Sequence, residues 1–149
     1  MTQKDHLEDF KFRTPVEIRF IDLDAFRHVN NAIYLTYCEV ARTKYWQEVI
    51  KWDWNLMGII IASATIDYIK PLTLKDQLLI YVRTSKVGNK SFELAYILTS
   101  ESQKGITIHA KAKTTCVCID YNTNKTSLIP SDYKKTMEIE TTGNVNKSS

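Results

Sequence analysis

The sequence predicts an α+β fold: a strongly curved antiparallel β-sheet wrapped around one long central helix. Two observations lead there. First, Tyr34, Cys38, Ala41, Tyr45 and Val49 recur at spacings of three and four. Ala32, Ile33, Leu35, Tyr37 and Val40 make the first half of the same stretch apolar nearly all round. A helix of that kind is buried, not laid on a surface. Second, the runs after Gly58 follow a period of two and are joined by short turn signals, the pattern of an antiparallel sheet. A sheet that buries such a helix has to curl around it.

The elements follow in order. Thr14–Phe20 alternates apolar and polar residues and reads as the first strand. The polar connection IDLDAFRHVN leads into a helix over roughly 31–50, with Asn30 as its cap. Its second half gains Arg42, Lys44, Glu48 and Lys51 and is expected to emerge into solvent. Ile59–Lys70 is the next strand, halted by Pro71. Gln77–Ser85 and Ser91–Ser100 flank the turn Lys-Val-Gly-Asn-Lys. Ile106–Asp120 is the longest strand, with Ile108, Ala110, Ala112, Cys116 and Cys118 on one face and His109, Lys111 and Lys113 on the other. Ser127–Ile129 adds a short strand or edge, and Pro130-Ser131-Asp132 opens a short last helix.

The chain has 149 residues, which suits one domain with a proper core. Residues 14–140 are read as that domain, 1–13 as a polar leader and 141–149 as a disordered tail. Phe10 and Phe12 are the leader residues able to tuck against the body. The formal charge of +3, from 20 basic and 17 acidic residues, is too mild for a general nucleic-acid binder. No apolar run reaches the length of a membrane span, and the polar N-terminus has no signal-peptide core. A cytoplasmic protein is expected, without nucleic-acid or membrane partners. Three cysteines and three scattered histidines have no metal-ligand spacing, so the thiols are read as reduced and packed, and no metal is expected.

The chemistry concentrates in Arg19–Asn31. Asp22 and Asp24 lie two apart just beyond a strand, His28-Val29-Asn30-Asn31 follows, and the buried helix starts there. A helix amino end offers free N–H groups and the positive end of a dipole, which suit a developing oxyanion. Asp24 is placed to act as a carboxylate nucleophile or general base. Asp22 reads as a cap or turn residue. Pattern alone suggests a site without naming a reaction.

The run D-x-D-x-x-x-H-V-N-N-x-x-Y, followed by E-x-A-R at Glu39–Arg42, resembles the acyl-CoA thioesterases of the 4-hydroxybenzoyl-CoA thioesterase type in the hot-dog superfamily. Tyr68-Ile69-Lys70-Pro71-Leu72, Lys90-Ser91-Phe92 and Ile129-Pro130-Ser131-Asp132-Tyr133 extend the resemblance, which covers about residues 14–138. It implies a hot-dog fold and hydrolysis of a thioester to a free acid and CoA. It also implies Asp24 as the catalytic carboxylate and the backbone N–H of Asn31 as the oxyanion donor. His28 would line the site, orienting the carboxylate or a water, or serve structure alone. Lys90 and Ser91 would meet the CoA phosphates, with Lys86 and Asn89 weaker candidates. Tyr34 and Tyr37 would line the acyl pocket unless they are ordinary core.

The resemblance further implies a homodimer or homotetramer with active sites at the subunit interface, and no cofactor beyond the CoA of the substrate. Glu39, on the helix, is the rival carboxylate. Three other readings stay open: a thioesterase acting on acyl carrier protein, a dehydratase, and a non-catalytic acyl-CoA sensor.

Overall fold

In the computed structural model the described residues are 6–142. The first five residues of the expected leader, and the expected tail beyond Thr142, lie outside them. The strands are β1 (Phe12–Pro15), β2 (Gly58–Tyr68), β3 (Leu78–Val87), β4 (Ser91–Ser102), β5 (Gly105–Asp120) and β6 (Lys125–Thr126). Helix α1 (Tyr34–Tyr45) is preceded by a 3-10 turn at Asn31–Ile33 and continued by a π-turn at Trp46–Ile50. Helix α2 spans Ser131–Thr141. The main sheet runs in the order β1-β3-β4-β5-β2, every pairing antiparallel, and β6 forms a hairpin with β5.

The sheet curls around α1. Tyr34, Cys38, Ala41 and Tyr45, the stripe seen in the sequence, are all buried against Ile80, Val82, Leu94, Tyr96, Leu98, Ala110, Ala112, Cys116 and Cys118 of the concave face. Each large apolar side chain buried this way is worth about 1.5–3 kcal/mol, so the stripe fixes the helix in its groove. Asn30 caps the helix as expected, its Oδ1 accepting the Ala32 N–H at 2.9 Å. Burial pushes the Cys38 thiol up to about 12 and those of Cys116 and Cys118 up to about 11, so all three stay protonated, unreactive thiols.

Four expectations need correction. The first strand stops at Pro15, five residues early: only the Val16 N–H still reaches β3, at Leu78 O, and Phe20–Asp22 turns away as a 3-10 turn. The strand starts earlier than expected, and Phe10 packs on the outer face with Tyr81, Ala95 and Ile97. The helix is not covered all round: Leu35 and Val40 are exposed, Leu35 over a groove against Ile61 and Ala64 of β2, the last strand of the sheet. The short strand comes at β6, not at Ser127–Ile129, whose N–H groups bond Cys118 O and Asn89 O outside any ladder.

The fourth correction concerns β5. Leu98 pairs with Ala110 but Thr99 pairs with Ile108, so His109 is an extra, bulged residue. The bulge exchanges the expected faces of two residues, Ile108 packing on the outer cluster and His109 turning in beside Ser100, while Ala110, Ala112, Cys116 and Cys118 face inward as expected.

Two buried carboxylates tie the frame together with opposite pH signatures. Asp22 takes bonds from Arg19 Nη2 (2.8 Å), Arg19 Nε (3.2 Å), the Arg19 N–H (3.2 Å) and the Tyr37 hydroxyl (2.7 Å). The Arg19 bonds outweigh burial and hold its carboxyl below the usual range. Its stabilisation is therefore present above about pH 4 and lost as pH falls through the lowered value. Glu140 of α2 accepts from the Tyr45 hydroxyl at 3.0 Å, but burial dominates and raises its carboxyl. Glu140 therefore favours the fold when protonated, and that contribution is lost as pH rises through the raised value.

In urea unfolding across a pH series, Asp22→Asn is expected to lose about 2 kcal/mol at pH 7, the gap closing in acid as wild-type Asp22 protonates. Glu140→Gln is expected to equal or exceed wild type at pH 8, with the difference vanishing below about pH 4. Parallel pH profiles for wild type and both variants would contradict the assignment.

Candidate active site

The segment between β1 and α1 builds the site. After the 3-10 turn anchored by Asp22, Leu23 and Val29 form an isolated antiparallel bridge, and the residues between them make a tight turn. The Asp24 N–H donates to His28 O (2.8 Å) and the Arg27 N–H to Asp24 O (3.0 Å). Asp24 Oδ1 accepts the N–H groups of Phe26 (2.8 Å) and His28 (3.3 Å). Arg27 sits at φ 64°, a left-handed conformation that costs a non-glycine residue roughly 1 kcal/mol or more. The Asp24 carboxylate thus caps its own strained turn through one oxygen, while Oδ2 has no hydrogen-bond partner among the described residues. The side chain is exposed.

The turn is held to the sheet beyond β2. The Val29 N–H donates to Leu72 O at 2.9 Å, and the Leu72 N–H donates to the Tyr34 hydroxyl at 3.2 Å. The Tyr68 hydroxyl donates to Asn31 O at 2.8 Å, and the Tyr34 and Tyr68 rings meet edge to face at 4.9 Å. These bonds present the first N–H of the helical stretch, that of Asn31, with no acceptor among the described residues. An orphan N–H at a helix start is the expected consequence of helix geometry.

Asp24, His28, Asn31, Tyr34, Tyr68, Lys70 and Pro71 surround a cavity of about 270 Å³. A larger one of about 810 Å³ opens on the other side of Asp24 and His28, lined by Phe20, Leu23, Phe26, Arg27, Leu74 and Lys75. The second lies within the range of small-molecule pockets. Its wall is apolar, with Phe20 and Phe26 both about 80 % exposed, and two cations stand at its rim. The site can therefore offer an exposed carboxylate, a free N–H donor and an apolar trough beside one another.

The structure brings Asp24, His28, Asn31 and Tyr34 together. The His28 ring has no hydrogen-bond partner among the described residues, and only its backbone serves the turn. Tyr34 is buried and reaches the site through its hydroxyl. Tyr37 is committed to Asp22 and burial raises its hydroxyl, so it belongs to the frame.

Lys90 and Ser91 are elsewhere. They sit in the turn between β3 and β4, and the ten residues of β3 separate that turn from the Leu72–Asp76 end of the sheet where Asp24 lies. At the rise of a strand this is about 30 Å within one chain. Lys86 is the penultimate residue of the same strand, and Asn89 binds Lys134 and Ile129 of the C-terminal segment. Glu39 lies further along α1, beside Arg42 at 3.6 Å, over a separate groove against Ile61 and Ala64. Arg27, Lys70, Lys75 and Tyr68 join the site without having been singled out for it. Tyr68 and Lys70 stand in a motif of the resemblance without a role, and Lys75 reaches the turn through the β2–β3 connection, which no local pattern marks.

Among the described residues no three His, Cys, Asp or Glu side chains gather as metal ligands, and no helix is long and apolar enough to cross a membrane.

Comparison with known proteins agrees with this architecture. The family model described as thioesterase-like superfamily matches residues 18–137. The chain is 29% identical over 129 residues to the long-chain acyl-CoA thioesterase FadM of Escherichia coli, covering 85% of this chain and 96% of that protein. It is also 29% identical over 129 residues to the 1,4-dihydroxy-2-naphthoyl-CoA hydrolase of Nostoc punctiforme, covering 81% and 82% of the two. A solved thioesterase of Thermus thermophilus, complexed with coenzyme A and Zn, superposes with a TM-score of 0.78 at 29% identity, covering 91% of this chain and 98% of that one. The matched span takes in the turn, the central helix, strands β2 to β6 and most of α2; the chain belongs to the thioesterase-like superfamily and has its hot-dog fold.

Proposed function

We propose that the protein hydrolyses acyl-CoA thioesters with Asp24 and the Asn31 N–H as the reacting pair. The observation that carries this reading is their shared cavity, where one oxygen of the carboxylate and the N–H both have no hydrogen-bond partner among the described residues. The thioester carbonyl oxygen takes a hydrogen bond from the Asn31 N–H, backed by the helix dipole. Asp24 Oδ2 then attacks the carbonyl carbon, or removes a proton from a water that does. In the first route the C–S bond breaks, CoA leaves as thiolate and is protonated by solvent, and water opens the acyl-aspartyl anhydride to the free acid. In the second, water adds directly and the thiolate leaves in the same way. His28 borders both cavities and is positioned to hold that water. Tyr34 supports the cavity floor. The trough of Phe20, Phe26 and Leu74 suits an acyl group or the pantetheine arm. No resident cofactor enters either route.

Lys90 and Ser91 can join this chemistry only from a second subunit. β2 is an edge strand of 11 residues with Ile60, Ile61 and Tyr68 exposed, next to the open side of α1. Such an edge requires cover. Antiparallel pairing of two β2 strands about a two-fold axis buries it together with Leu35 and Val40. The same pairing sets one subunit's Gly58 end, which lies near its own β3–β4 turn, beside the other's Tyr68 end. The partner's Lys90 and the partner's Ser91 then approach Asp24 from across the interface, where a lysine meets the CoA phosphates as a point charge. The proposed assembly is a homodimer, able to pair again into a tetramer.

Thiol release from short, long and aromatic acyl-CoAs tests the chemistry. Asp24→Asn is expected to lose about 10²–10⁴ in turnover with substrate binding retained. Unchanged turnover would shift the role to Glu39. Binding of CoA esters without turnover by either protein would make it a sensor, and turnover of acyl carrier protein thioesters alone would change the substrate class. Lys90→Ala is expected to raise KM about threefold to tenfold at unchanged kcat, the effect shrinking at high salt. Light scattering is expected to give two or four times the 17.3 kDa chain mass; a monomer at micromolar concentration would contradict the shared site.

A further inference from the structure

His109 is buried, lines neither cavity of the site, and takes no part in the reaction proposed above. Its surroundings are nevertheless specific. Nδ1 lies 3.0 Å from Pro71 O and 3.2 Å from Lys70 O. Nε2 lies 2.7 Å from Ser100 Oγ. Its own backbone oxygen accepts the Ile69 N–H at 2.8 Å and the Lys70 N–H at 3.0 Å.

Carbonyls only accept, so Nδ1 carries a proton. In the neutral ring Nε2 is then an acceptor, filled by the Ser100 hydroxyl, which fixes the tautomer. One bulged residue therefore binds both the N–H and the C=O groups of the Ile69–Pro71 segment. A regular β5 could not do this, because strict alternation would turn His109 to the outer face.

That segment leads straight to the site. Tyr68, just before it, donates to Asn31 O, and Leu72, just after it, bonds Val29 and Tyr34. Ile69, Lys70 and Pro71 themselves line the cavity of Asp24 and Asn31.

We propose that His109 is a positioning residue: through Nδ1 it locks the Lys70–Pro71 turn, and through that turn it sets the Asn31 N–H against Asp24. The catalytic part of this proposal rests on the thioesterase reading above. The structural part, that the Nδ1 bonds fix the Val29–Asn31 segment, does not.

The two sides of the ring can be separated. In His109→Asn the amide nitrogen stands where Nδ1 stands and can still donate to the Pro71 and Lys70 carbonyls. In His109→Gln the amide reaches toward Ser100 and abandons them. Ser100→Ala removes only the Nε2 partner. The locking role predicts that Gln lowers kcat about ten- to hundredfold with KM changed less than about twofold. Asn and Ser100→Ala should stay within about threefold of wild-type kcat, even if their melting temperatures fall as far as that of Gln. In the free protein, the amide resonances of Asn31 and Ala32 should move in Gln and not in Asn. Hydrogen-exchange protection of the Val29 N–H should fall in Gln alone.

Equal losses of kcat in Gln and Asn, tracking stability, would overturn the proposal. Unmoved Val29 and Asn31 amides in Gln would overturn it as well. If Gln does not fold, Asn and Ser100→Ala still decide: loss of kcat in both, or displaced Asn31 amides in both, counts against the Nδ1 lock. A wild type that hydrolyses no acyl-CoA, but whose amides respond as expected, would refute the thioesterase reading while leaving the lock in place.

Discussion

A helix apolar on most of its surface has one place to go, and that constraint organises this molecule. Tyr34, Cys38, Ala41 and Tyr45 need a concave apolar wall, and the antiparallel sheet supplies it by curling. Once the helix lies in the groove, its amino end is set at the rim of the sheet. There the orphan N–H of Asn31 faces the turn that carries Asp24. The chemistry proposed for the protein follows from that placement.

The site is held by bonds from outside it. Asp22, the first acid of the D-x-D pair, is spent on Arg19 and Tyr37 and fixes where the turn begins. Leu72 receives its far end at Val29, and Tyr68 holds the helix start through Asn31 O. Asp24 itself holds the turn closed through one oxygen, against the left-handed Arg27, and keeps the other free. Two acids two residues apart thus have different surroundings, one buried and paired, one exposed. That division is what allows one to be structural and the other available for reaction.

Much of this was legible in the sequence because it rests on short-range periodicity. The helical stripe, the cap at Asn30 and the four long strands follow from spacing alone, and the strand ends shift by at most two residues. What was not legible depends on pairing. The first strand ends at Pro15 because its partner β3 begins at Leu78, a fact no alternation in Val16–Phe20 can report. A single bulged residue at His109 exchanges the faces of Ile108 and His109 while Ala110, Ala112, Cys116 and Cys118 stay inward, and a parity count cannot see an extra residue. The distance between Lys90 and Asp24 is likewise a property of the whole sheet. The resemblance implied one site for both, and the fold sets them at opposite ends of the sheet within one chain, which is why the proposed site includes a second subunit. The open side of α1 and the uncovered edge of β2 point to the same need.

The most direct test is a crystal structure with an acyl-CoA analogue in which a methylene replaces the thioester sulfur, leaving a ketone that cannot be hydrolysed. The ketone oxygen is expected about 2.7–3.1 Å from the Asn31 nitrogen. Asp24 Oδ2 is expected about 3–3.5 Å from the carbonyl carbon. The CoA phosphates should lie against the Lys90 turn of the neighbouring subunit. A carbonyl seated over Glu39 in the groove between α1 and β2, with Asp24 remote from it, would contradict the account at its centre.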